Sequence, residues 1–174
     1  IEGDLSQWTS SEHHASSVGI GETVSANITV NVPNQVWNGT VSVLHVAAIW
    51  ENMALATTNH TFEVARQSGW RINLSDIDLI VAPEGGFIHV PLDHLGNSVQ
   101  DPWFVKVAEG WSVSVPQNGS HVAPYGSSTV LLNVTPPNGT EAGDVGTVNL
   151  RISDGDGHGA SEHQIPVRVA AAAG

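Results

Sequence analysis

Asp154-Gly155-Asp156-Gly157-His158-Gly159 is the densest run of chemistry-bearing residues in the sequence. Carboxylates at alternate positions of a glycine-rich turn are how calcium loops present hard oxygen ligands. Asp154 and Asp156 are therefore the candidate metal ligands, and calcium is the one cofactor to consider. The match is partial, because an EF-hand loop wants Asp or Asn at 158 and Glu at 165, where the chain has His158 and Ile165. The same glycines suit a plain hairpin connection, and in that reading the protein carries no cofactor. Asp144 and Glu162 are the further acids that could lend oxygens. Nine histidines invite a transition-metal reading at Glu12-His13-His14 and Glu162-His163. Neither pair has the i, i+4 helical spacing of a zinc protease, and adjacent residues on a strand point to opposite faces. A Ser/His/Asp triad has no nucleophile elbow to support it, so the expectation is a non-catalytic chain.

Two other residue classes stand out. Asn-x-Ser/Thr occurs at Asn27, Asn38, Asn59, Asn73, Asn118, Asn133 and Asn138, seven of the twelve asparagines. Ser/Thr content alone would give roughly two, and the pattern is the N-glycosylation acceptor. Turn chemistry accounts for the Asn-Gly pairs at 38, 118 and 138. It accounts less well for Asn27 and Asn133, where period 2 puts Asn and Thr on one outward strand face. The six tryptophans form two groups. Trp8, Trp103 and Trp111 begin apolar alternations and are expected in cores. Trp37, Trp50 and Trp70 fall in turns or at strand ends and are expected to be exposed, stacking on sugars or, the favoured use, packing on a neighbouring module.

The elements that must position these residues are strands. Val24, Ala26, Ile28, Val30 and Val32 alternate with polar residues and predict a strand of about ten residues. Thr40 to Ile49 is apolar on both faces, which predicts a central strand covered on each side. A loop from Trp50 to Asn59 follows, with Thr61 to Ala65 returning. Further on, Ile77, Leu79 and Val81; Ile88, Val90 and Leu92; Trp111, Val113 and Val115; and Val130, Leu132 and Val134 each alternate. Asn118-Gly119, Pro124-Tyr125-Gly126 and Pro136-Pro137-Asn138-Gly139 separate them as turns.

The first half repeats part of the second. Trp8 matches Trp111, Asn27-Ile-Thr29 matches Asn133-Val-Thr135, and Gly39-Thr-Val41 matches Gly146-Thr-Val148, at offsets of roughly 105 residues, the size of one immunoglobulin-like domain. Only a few residues precede Trp8, so equivalents of residues 75–107 are missing from the first copy. The expected fold is all-β: tandem immunoglobulin-like antiparallel β-sandwiches, the first lacking its early strands. The expected division is a partial module over 1–68, completed by another segment or subunit, and a complete module over 69–174 with a short Ala-rich tail.

Composition bounds the function. A formal charge of −12 over 174 residues repels nucleic acid and anionic lipid. The chain contains no cysteine, which removes disulfides and thiol chemistry, and no apolar run reaches transmembrane length. The front has neither an initiating Met nor a charged-then-apolar leader, so Ile1 reads as a mature end or as the start of an excerpt.

Gly96-Asn97, Glu109-Gly110-Trp111-Ser112-Val113, Val122-Ala123-Pro124-Tyr125-Gly126, the strand from Val130 to Pro136, and Ala142-Gly143 leading to Gly146-Thr147-Val148 together resemble the immunoglobulin-like modules known as the alpha-galactosidase-associated and cell-adhesion-related (CARDB-like) domains of prokaryotic surface proteins. The resemblance spans about 75–170, and 8–66 as a partial copy. It implies a seven-stranded antiparallel sandwich serving as a spacer, adhesion or accessory module, with no catalytic residues to carry over. The functional expectation is a glycosylated, extracellular or cell-surface structural protein: a stalk, surface-layer or filament subunit assembled by strand donation. Its partners would be further copies of itself or neighbouring modules, with glycans as the other ligand class. The alternative is a carbohydrate-binding or spacer module of a secreted enzyme.

Overall fold

The computed structural model describes residues 8–11, 17–75, 77–115 and 121–171. The chain divides into two compact units, Ile1–Ala65 and Arg66–Gly174. The boundary thus falls between Ala65 and Arg66 rather than after residue 68. Gln67 and Gly69 already hydrogen-bond into the second unit, through Asn97 and Leu95 respectively.

In the first unit, β1 (Thr9–Ser11) pairs antiparallel with β2 (Ile28–Val30), and β3 (Val41–Trp50) pairs antiparallel with β4 (Met53–Glu63). The ten-residue strand expected from Gly21 shrinks to the three residues of β2. Alternation supplies the side-chain pattern of a strand, but a ladder also needs a neighbour, and β1 offers β2 only three residues. The loop expected between Trp50 and Asn59 is instead most of β4. Glu51 and Asn52 form a two-residue turn with φ of 46° and 65°, both in the left-handed region that type I′ hairpins require. The ladder then runs from Trp50↔Met53 to Val41↔Glu63, broken once where Leu55 bulges out of register.

The second unit is a β-sandwich. One sheet has the order β5 (Trp70–Ile72), β7 (Gly86–His94), β10 (Ser127–Thr135), β9 (Ser112–Ser114). The other has the order β6 (Ile80–Val81), β12 (Ser161–Val169), β11 (Val145–Asp154), β8 (Pro102–Gly110). This is the A-B-E-D and G-F-C arrangement of the immunoglobulin fold, with the first strand split so that each sheet receives part of it. The short β6 pairs with β12 in parallel, and the other ladders are antiparallel. Alternate residues fill the space between the sheets: Ile88, Val90 and Leu92 from β7, Leu132 and Val134 from β10, Val148, Leu150 and Ile152 from β11, and Ile165, Val167 and Val169 from β12.

Two close approaches fix the second unit further. Trp111 lies flat over Gly146, where a Cβ would stand 1.8 Å from the indole, so only glycine fits beneath the ring. Gly110, at φ 105°, lets the chain turn into Trp111 against the Thr147 carbonyl. The strand order of the first unit corresponds to the last four strands of this sandwich: β1–β2 to β9–β10, and β3–β4 to β11–β12. Among the described residues of that unit no strands correspond to β5 through β8.

One core expectation fails. Trp103 is half exposed, and Phe104 is buried in its place. Phe104 pairs with the inward Ile152 and Trp103 with Ser153, so the register against β11 turns the phenylalanine inward.

Candidate functional site

The β3–β4 hairpin is the least covered element of the first unit. Cross-strand partners share a face, so Ser42, Leu44, Val46, Ala48 and Trp50 lie with Phe62, His60, Thr58, Ala56 and Met53 on one side. Val41, Val43, His45, Ala47 and Ile49 line the other. Ser42 and Leu44 are buried near the base, whereas every residue of β4 is exposed and β3 is exposed on both faces from Ala47 to Trp50. Ile49, Trp50, Met53 and Leu55 are each more than half exposed around the turn. The expected cover on both sides of this strand is therefore missing over its outer half, Ala47 to Trp50, among the described residues. A two-stranded ribbon by itself is marginal in water, and this one exposes an apolar tip.

The acidic loop builds a different kind of centre. Val148, Leu150 and Ile152 point inward along β11, and the same period carries Asp154 inward as the last residue of the strand, with its side chain fully buried. A buried carboxylate needs donors. The indole Nε1 of Trp70 donates to Oδ1 at 2.7 Å, and a guanidinium nitrogen of Arg66 donates to Oδ2 at 2.6 Å. Arg66 also holds Asp156, at 2.5 and 3.2 Å. That hydrogen bond, with the backbone N–H of His158 second, holds the Asp156 carboxyl well below the usual range, at about 2. The same two carboxylates, Asp156 first, raise the pKa of Arg66.

Asp154 and Asp156 thus converge on a guanidinium. A calcium ion would have to displace Arg66 to reach both. Asp144 and Glu162 lie elsewhere: Asp144 accepts from the Glu141 N–H at the opposite end of β11, and Glu162 is exposed opposite Arg151. No cluster of three or more metal-ligating side chains occurs among the described residues. Glu12, His13 and His14 lie outside the described residues.

Trp70 corrects its expectation. It is 3% exposed, stacked on the buried His94 with ring centroids 4.3 Å apart, and so is unavailable to a sugar or a neighbouring module. Burial follows from its hydrogen bond to Asp154, which satisfies the indole N–H inside the core. His94 Nδ1 donates to the Ala123 carbonyl, and Ser161 and His163 share a hydrogen bond beside the Trp70 carbonyl. Burial pushes the His163 pKa down. Sequence reading missed Arg66. The signal that could have found it is the inward period of β11 ending on an acid in a chain with five Lys plus Arg. Trp37 and Trp50 are more than half exposed.

Among the described residues the sequon asparagines are exposed with one exception. Asn27, Asn38, Asn59, Asn73 and Asn138 are exposed, and Asn133 is half-buried on β10. Asn118 lies outside the described residues. Asn27 and its Thr29 are both exposed, and Asn59 hydrogen-bonds His45 across the hairpin at 2.6 Å.

No family model matches the chain, and neither does any curated protein. Among solved structures it is similar to the S-layer protein SbsC domains 4 and 5, at 17% identity and a TM-score of 0.36. The match covers 84% of this chain and 62% of that one, so this chain spans less than two thirds of that structure's length.

Proposed function

We propose that the chain is a structural assembly module of the cell surface, of the spacer and adhesion kind, glycosylated at its exposed sequons and without catalytic activity. One observation carries the reading: a complete sandwich shares the chain with a unit whose long hairpin, among the described residues, leaves all of β4 and the outer half of β3 exposed and ends in an apolar tip. A hairpin of this kind gains stability when another strand or sheet covers it, which is how an assembly joins its parts. Arg66 supplies the positive charge between Asp154 and Asp156, so the reading invokes no bound calcium. The test is electron microscopy of native material together with mass spectrometry of its glycopeptides. Filaments or lattices with occupied Asn27 and Asn59 are the expected result. Dispersed monomers lacking glycans would overturn it.

A second reading rests on Trp37 and Trp50, whose exposed rings could stack on sugars. Polysaccharide retention that vanishes in Trp37→Ala or Trp50→Ala would favour a carbohydrate-binding accessory module instead.

A further inference from the structure

We infer that the occupant of the exposed hairpin is the same hairpin of a second copy, joined through the free edge of β3. The inference rests on the assembly reading above and names its partner and edge. The second unit shows which edge needs cover: β11, the counterpart of β3, is paired on both sides, by β12 and by β8. In the first unit, β3 pairs only with β4 among the described residues. Alternate residues of a strand aim their N–H and C=O groups to opposite sides, so half of the backbone groups of β3 meet no other strand among the described residues.

The other edge is less suited to pairing. Leu55 bulges from β4, which bends and twists that strand. By contrast β3 reads VSVLHVAAIW, rich in β-formers and without Pro, Asp, Glu, Lys or Arg. Two copies, each at −12, therefore meet along this strand with no opposed like charges. An antiparallel strand is also complementary to itself about a two-fold axis, the commonest symmetry of protein pairs.

Symmetry limits the register. A two-fold axis perpendicular to the sheet keeps each residue on its own face, and directly paired residues must share a face. The axis must then pass beside a residue that pairs with its own copy, and the middle of β3 offers His45 or Val46. The resulting sheet has the order β4-β3-β3-β4. Around Val46 it sets Leu44 against Ala48 and Ser42 against Trp50, giving the exposed indole a neighbour.

The chain has no cysteine, so single substitutions report directly. Chain 1–174 carrying His45→Cys, Val46→Cys or, on β4, Thr58→Cys is mildly oxidised and run on non-reducing gels, and the unsubstituted chain is weighed by light scattering across concentration. The expected result is a mass that rises to a dimer and a disulfide dimer at position 45 or 46 at least tenfold more abundant than at 58. Val43→Lys, which puts a charge on the edge strand, should weaken the dimer at least tenfold while circular dichroism stays unchanged. A chain that stays monomeric at all concentrations, or cross-links only through position 58, overturns the β3 pairing. If native material still forms a lattice in that case, a different strand covers β3 and the assembly reading survives; if native material is also monomeric, both fail.

Discussion

Replacing Arg66 with Met tests whether the buried carboxylate organises the end of the second sandwich. Asp154 is fully buried, and Arg66, with 30% of its side chain exposed, is the cation that compensates it. The substitution leaves the carboxylate inside with the Trp70 N–H as its remaining side-chain donor. Breaking a buried pair by removing one partner costs about 3–5 kcal/mol. Because water can reach the partly exposed guanidinium site, the lower end applies, about 3 kcal/mol. For a unit of this size that lowers Tm by roughly 12–15 °C. Asp156→Asn removes the other half of the cluster, but Asp156 is 46% exposed. That exposed, solvent-screened pair adds little to stability, so the two variants should separate clearly. The assay is urea unfolding at neutral pH followed by tryptophan fluorescence, which reads the indole touching Asp154. A shift of midpoint with unchanged slope identifies a stability effect. Equal losses below about 1 kcal/mol in both variants would refute the argument, because Arg66 would then be an ordinary surface ion pair. Arg66→Met combined with Asp154→Leu should recover most of the loss, since it removes the stranded charge along with its partner.

Two further outcomes follow from the second unit. Asp156 and Asp93 have carboxyl pKa values below the unfolded ones, chiefly through Arg66 and Arg71 respectively. Their contribution is present above about pH 4 and is lost as pH falls, for Asp156 towards about 2, so acid unfolding should sharpen below about pH 4 and Arg71→Gln should remove part of the slope. Gly146→Ala places a methyl inside the Trp111 ring contact. It should destabilise the sandwich by about 1–3 kcal/mol, with the tryptophan fluorescence displaced, whereas Gly86→Ala, which meets nothing within 4 Å, should leave that signal in place.

Much of the second unit was legible in the sequence because its strands obey a local rule. Ile88, Val90 and Leu92 alternate, and so do Leu132 and Val134, and all five are buried. The turns were legible for the same reason, since Gly, Pro and Asn act through their own backbone angles. Residues 21–27 alternate just as well and form no strand, because hydrogen-bond partners are supplied by distant chain. β4 alternates poorly and is a strand, because β3 pairs with it along ten positions. Trp103 and Phe104 are adjacent and both aromatic. Nothing local chooses between them, and pairing with β11 does.

The candidate site divides along the same line. Sequence alone determined that Asp154 and Asp156 sit together on a glycine-rich turn, that the sequons crowd the chain, and that the first half echoes the end of the second. Tertiary structure decided that the two acids meet Arg66, some ninety residues away, and that Trp70 closes over Asp154 instead of facing solvent. It also decided that the hairpin at Val41–Glu63 keeps its apolar tip open among the described residues. The physical reason is that a side chain's face is set by its own backbone period, whereas the group that satisfies its charge, or the strand that covers it, comes from wherever folding brings a complementary partner.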